Sequence, residues 1–118
     1  MEERRRHPRI RVSKEAVVRI EDRINPLPAY VEDISASGVR LILSKKLFPE
    51  VFSRASLETA DELSFNFGAS VRWQEEYEGK NAYGLSFNWI DEEGRRKLNE
   101  YIQEKSFKDF KEKWWEGL

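Results

Sequence analysis

The clearest pattern in the chain lies at residues 63–74. Leu63, Phe65, Phe67, Ala69, Val71 and Trp73 alternate strictly with Ser64, Asn66, Gly68, Ser70, Arg72 and Gln74. A period of two predicts a half-buried β-strand, and its length predicts a curved one with Gly68 as the kink. After a polar turn over residues 77–81 around Gly79, Tyr83, Leu85, Phe87 and Trp89 alternate with Gly84, Ser86 and Asn88 and predict a last strand. Trp73 and Trp89 fall in the apolar phase of these strands and are expected in the core. Upstream, Ala16, Val18 and Ile20 alternate with Val17, Arg19 and Glu21, which predicts a strand over 16–21. Shorter strands are expected over 29–34 and 39–43, the latter apolar on both faces except at Arg40. Residues 35–38 turn the chain, and Gly38 can take a positive φ there at little cost. Residues 44–61 carry the weakest pattern, with a short strand at 55–59.

The two ends differ. Residues 1–12 read as an arm, held extended by Pro8. Asp91 can cap a helix expected from about Glu92 to about Trp115, frayed or broken near Ser106. Leu98, Tyr101, Ile102 and the stem of Lys105 carry one face, and Phe107, Phe110 and Trp114 continue the apolar stripe. Five or six antiparallel strands joined by short turns predict a small barrel. Its interior would be filled by Phe and Trp, and the helix would cover an open end or pack on another molecule.

At 118 residues the chain is expected to form one domain. It has no cysteine and one histidine, which excludes disulfides and leaves no pair of soft ligands for zinc. His7 reads as an arm spacer. No nucleophile–base pair can be assembled, so no enzyme, metal or cofactor is expected. No long apolar run is present, so neither a membrane span nor a signal peptide is expected, and the default compartment is the cytoplasm.

The net charge of −1 hides an asymmetry. Residues 1–14 hold six cations against two carboxylates, a net of +4, which leaves −5 for the remainder. A basic arm on an acidic body predicts a local anion site at the arm rather than a duplex-DNA binder.

Two segments carry chemistry. Arg5 and Arg9 stand four apart, about 13 Å between Cα atoms on an extended chain. Their guanidinium forks can converge on one ligand, pairing with phosphate or with guanine O6 and N7, or stacking on a purine. Taken alone, the arm also reads as a solvated basic segment. The second segment is Asp33-Ile34-Ser35-Ala36-Ser37-Gly38. Asp33 can accept from the N1–H and N2–H₂ edge of guanine. Ser35, expected on the same side, adds a hydroxyl, and Gly38 permits close approach. Alone, this segment equally reads as an ordinary turn.

Together, an Arg-x-x-x-Arg arm followed roughly two dozen residues later by Asp-x-Ser-x-x-Gly resembles the signature of the PilZ domain. Glu3-Arg4-Arg5-Arg6-His7-Pro8-Arg9 looks like the family opening. Val71-Arg72-Trp73 resembles its mid-barrel strand, and Tyr83-Gly84-Leu85-Ser86-Phe87 its last strand before a helix. The resemblance covers residues 3 to about 104. It leaves residues 105–118 as a helical extension ending in Trp114-Trp115, and residues 44–62 fit the family's strand pattern poorly.

The resemblance implies a six-stranded antiparallel β-barrel plus a C-terminal helix, with an arm at 1–12 and the barrel with the helix start at 13–104. It implies a receptor for cyclic diguanylate (cyclic di-GMP). Arg5 and Arg9 would hold guanines and phosphates, Asp33, Ser35 and Gly38 a guanine, and Arg6 a less defined contact. An arginine before the motif, here Arg4, goes in this family with an intercalated dimer of the ligand. Binding is expected to order the arm and signal to an unidentified downstream protein, with motility and biofilm among the family's outputs. A domain with no attached output would act by docking. The chain would be a monomer or homodimer. The alternatives are a same-fold interaction adaptor with weak or no ligand binding, and a nucleic-acid or anionic-membrane binder using the arm.

Overall fold

The computed structural model describes residues 9–21 and 23–116, with side chains to residue 108. Six antiparallel strands form a closed barrel: β1 (Ile10–Ile20), β2 (Leu27–Ser35), β3 (Gly38–Leu43), β4 (Ala55–Thr59), β5 (Ser64–Tyr77) and β6 (Lys80–Ile90). Their order around the barrel is β1-β2-β3-β6-β5-β4, and β1 closes on β4. Helix α1 (Glu92–Glu116) follows β6. The six-stranded barrel with a terminal helix is therefore as expected.

Closure has a physical cause. Each strand turns one set of alternating apolar side chains inward, and closing the sheet removes its unpaired edges. Val18, Val31, Ile34, Leu41, Leu57, Phe67 and Tyr83 are fully or almost fully buried. The weakly patterned segment becomes a short 3₁₀ helix (Pro49–Ser53) followed by β4. It is fastened from within: the buried Tyr83 hydroxyl accepts from the Leu47 amide at 2.7 Å, and Phe52 packs on the Tyr83 ring at 5.3 Å.

Several boundaries differ from the sequence reading. β1 starts at Ile10, because Ile10 and Val12 are buried and continue the alternation into what reads as arm. The β5–β6 turn is two residues, Glu78 and Gly79, with φ of 50° and 78°. Both left-handed positions suit a tight hairpin. Helix α1 runs unbroken past Ser106. The Asp91 carbonyl accepts from the Arg95 amide, and its carboxylate accepts from the Asn66 amide of β5 at 2.8 Å, tying helix to barrel.

Trp73 and Trp89 are not core: they are 39% and 41% exposed. The β5–β6 register slips twice. Between Ala69–Phe87 and Gly68–Trp89, β6 has one extra residue, Asn88; between Val71–Leu85 and Trp73–Gly84, β5 has one extra residue, Arg72. An inserted residue flips the side-chain phase. Each indole thus lies outside, covering the glycine of the paired strand, Trp73 on Gly84 and Trp89 on Gly68. The aromatic filling comes from phenylalanines and Tyr83 instead, with Phe65, Phe67 and Phe87 in mutual contact at 5.5–5.7 Å.

Helix α1 is pinned through Leu98 and Ile102, both buried, and through Asp61. That carboxylate accepts from Thr59 at 2.6 Å and Tyr101 at 2.9 Å, and pairs with Lys105 at 3.5 Å. Burial alone would raise its pKa, but these donors hold it below the ordinary value. Burial and the facing carboxylate push the Tyr101 hydroxyl up. Phe107, the first residue of the apolar stripe expected there, is exposed and does not pack on the barrel. Phe110, Trp114 and Trp115 fall among the side chains outside the description.

Candidate functional site

Strand register aligns one row of residues across the outer face of the barrel. Asp33 of β2 pairs with Arg40 of β3, Arg40 with Gly84 of β6, and Gly84 with Trp73 of β5. Two bulges set this row. The extra residue Glu32 on β2, between the Val31–Leu41 and Asp33–Arg40 pairs, reverses the phase so that Ile34 rather than Asp33 is fully buried. The extra residue Arg72 on β5 turns Trp73 outward.

Within the row, the Arg40 guanidinium lies over the Trp73 ring at 5.3 Å. Its Nε stands 3.5 Å from Asp33 Oδ2, and its Nη1 stands 3.7 Å from Glu32. From the other side, Arg9 Nε stands 3.6 Å from Asp33 Oδ1. These are ion-pair distances, too long for good hydrogen bonds. Asp33 Oδ1 and Arg40 Nε are buried and make no hydrogen bond among the described residues. A buried polar atom without a partner is costly, so this cluster is incomplete by itself.

Beside the row opens a cleft of about 390 Å³, lined by Arg9, Ser37, Gly38, Arg40, Arg72, Trp73 and Ser86 among others. It offers three guanidinium groups, a flat indole and hydroxyls. That set suits a planar, hydrogen-bonding base carried on phosphates. Gly84 lets the indole lie flat, since a Cβ there would collide with the Trp73 ring. Gly38 is needed for a related reason. A positive φ was expected there, but among the described glycines only Gly79 has one. At Gly38 a Cβ would strike the Leu85 carbonyl of β6.

The structure sets Arg9 beside Asp33 at 3.6 Å, and Arg9 and Gly38 line the same cleft. Ser35 sits differently: it is buried, and its hydroxyl accepts from the Ser37 amide and meets the Ser37 hydroxyl, both at 3.2 Å, while Ser37 lines the cleft. Arg4, Arg5 and Arg6 lie outside the described residues. Sequence reasoning missed Arg40, Arg72 and Trp73 as site residues. A signal existed for Arg40, a lone charge in an apolar strand, but none for Trp73, whose alternation places it inside. Among the described residues no cluster of potential metal ligands occurs, and no helix is long and apolar enough to cross a membrane.

Comparison with known proteins bears on the family and the fold. The PilZ domain family model matches residues 3–104. Among solved structures, Escherichia coli YcgR in complex with c-di-GMP is similar at a TM-score of 0.69 and 19% identity, over 98% of this chain and 51% of that one. Bacillus subtilis inhibitor of motility, MotI/DgrA, is similar at 0.66 and 17%, over 90% and 53%. Borreliella burgdorferi PlzA in complex with c-di-GMP is similar at 0.54 and 16%, over 83% and 40%. This chain thus spans about half the length of the structures it resembles. No curated protein matches the sequence.

Proposed function

Because this chain belongs to the PilZ domain family, matched over residues 3–104, we propose that it is a receptor for cyclic di-GMP that acts by binding and not by catalysis. The observation that carries this reading is the unfinished cluster at Asp33 and Arg40, with a buried carboxylate oxygen and a buried guanidinium nitrogen both lacking hydrogen bonds among the described residues, beside an outward indole. A guanine supplies what is missing: N1–H and N2–H₂ donors for Asp33, O6 and N7 acceptors for an arginine, and a flat face for Trp73. Arg9 and Arg72 then face the phosphates. The c-di-GMP complexes of YcgR and PlzA, which share the fold, support the choice of ligand.

The finer steps belong to the same proposal. Arg5 acts with Arg9 as a pair of forks, and Arg4 and Arg6 add charge from the arm. Binding orders the arm over the cleft, and the cytoplasmic complex then signals to a downstream protein. Arg4 supplies the extra cation that two stacked ligands require, since they carry four phosphate charges. Two ligands per chain are therefore expected, falling toward one in Arg4→Leu, and calorimetry reads the stoichiometry directly.

The deciding experiment is titration with cyclic di-GMP, linear diguanylate and GTP. A steep preference for the cyclic form is expected. Equal, strongly salt-dependent binding of all three would replace the receptor reading with a general polyanion binder.

A further inference from the structure

The Asp33–Arg40–Gly84–Trp73 row has a second side. Away from the cleft, the next row runs Tyr30–Ile42–Ala82–Glu75 by the same register. Beyond it the β5–β6 hairpin continues its pairing to Tyr77–Lys80, with residues 74–80 all exposed. Between them lies a groove of about 340 Å³, with Ile42 and Ala82 among its lining, Tyr77 exposed at 70%, and Glu32, Glu75 and Glu78 as its carboxylates. Arg40 and Trp73 line both this groove and the ligand cleft. One cation, Arg40, is thus shared between two sites of opposite charge preference.

We propose that this groove is a docking site for a basic peptide segment of a partner protein, and that Arg40 blocks it until ligand draws Arg40 to the cleft. The gating half rests on the receptor reading above; the groove itself does not. Charge complementarity selects the occupant. Three carboxylates face the groove against Arg40 and Lys80, and withdrawing Arg40 leaves only Lys80 opposing them. The ring face of Tyr77 attracts cations. The apolar Ile42 and Ala82 accept the methylene stem of a lysine or arginine whose head reaches the carboxylates. An acidic segment or a nucleic acid would meet repulsion instead.

Arg40 is suited to gating because it rests on the Trp73 face and its contacts to carboxylates are long. Its contacts to Glu32 and Asp33 are 3.7 and 3.5 Å, and its Nε has no hydrogen bond among the described residues. A guanine or phosphate offers it shorter, bidentate contacts. Glu32 then loses its cation to the cleft and turns its charge to the groove.

The test uses a fluorescein-labelled hexapeptide of alternating lysine and leucine, read by anisotropy. Arg40→Gln should bind it about tenfold tighter than the ligand-free wild type, the effect of roughly one removed like charge. Saturating cyclic di-GMP should bring the wild type to the same level. Glu75→Gln with Glu78→Gln should abolish peptide binding, in the wild type with ligand and in Arg40→Gln without it, while leaving cyclic di-GMP affinity unchanged. Arg40→Met replaces Arg40→Gln if the latter melts early. The proposal is overturned if Arg40→Gln binds no tighter, if the double glutamate variant still binds, or if a glutamate–leucine hexapeptide binds equally. Ligand-induced self-association without peptide binding would assign the groove to a second copy and also overturn it. If the wild type binds no cyclic di-GMP, the receptor reading falls, and the ligand-free comparison of Arg40→Gln with the wild type still decides the groove.

Discussion

Two carboxylates, Asp33 and Asp61, are each partly buried and each face more than one donor, yet they are different devices. Asp61 is finished: Thr59 and Tyr101 donate at 2.6 and 2.9 Å, and Lys105 stands at 3.5 Å. Asp33 is not: two arginines stand at 3.5 and 3.6 Å, and Oδ1 makes no hydrogen bond among the described residues. Short, fully matched bonds fix helix α1 to the barrel. Long, unmatched ones leave geometry to be completed by something else. Within one small barrel, the same side chain is structural where the fold satisfies it and available for recognition where the fold stops short.

The sharpest way to break this contrast is to remove each carboxylate and read both ligand affinity and stability. Asp33→Ala should lose charge-assisted contacts of about 1.5–3 kcal/mol in cyclic di-GMP binding, roughly ten- to a hundredfold by calorimetry, with little change in the unfolding curve. Arg9→Ala should behave in the same way. If Asp33 reads the guanine edge, its loss also reduces discrimination against the adenine analogue; undiminished discrimination would leave Asp33 only a holder of the two arginines.

Asp61→Ala should do the reverse. It strands the Thr59 and Tyr101 hydroxyls and the Lys105 ammonium, costing about 1–3 kcal/mol in urea unfolding, with cyclic di-GMP affinity intact. A large loss of affinity would mean that the helix junction and the cleft are coupled, and the contrast would fail.

Acid provides a gentler probe. The Asp61 carboxyl is held below the ordinary aspartate range in the folded protein, so the unfolded chain takes up this proton first. The stability it contributes is full above about pH 4 and is lost as pH falls through the lower, folded value. The stability gap between wild type and Asp61→Asn should therefore be constant near neutrality and close in strong acid. A gap that closes near pH 6 would refute this account of Asp61.

The smallest expected effect concerns the indole. Gly84→Ala places a methyl group against the Trp73 ring and should tilt it off the strand. Affinity should fall by about 0.5–1.5 kcal/mol, the scale of one aromatic contact. An unchanged affinity would remove Trp73 from the site.

The sequence by itself determined most of the barrel's inner faces and the position of the helix. The alternation in β5 up to Val71 and in β6 from Tyr83 to Phe87, the apolar positions Leu98 and Ile102, and the order of the arginine and Asp-x-Ser-x-x-Gly motifs are local patterns that no bulge interrupts. It also singled out Asp33 and Gly38, which lie in the row and in the cleft beside it. Only the tertiary structure decided that Arg40 and Trp73 join them, that Ser35 turns to Ser37, and that both tryptophans lie outside. The reason is register. One extra residue at Glu32, Arg72 or Asn88 reverses which face a side chain occupies, and a bulge is defined only against the paired strand. A period of two along one chain carries no record of the neighbour it will meet, so the site, which spans β2, β3, β6 and β5, forms only when the barrel closes.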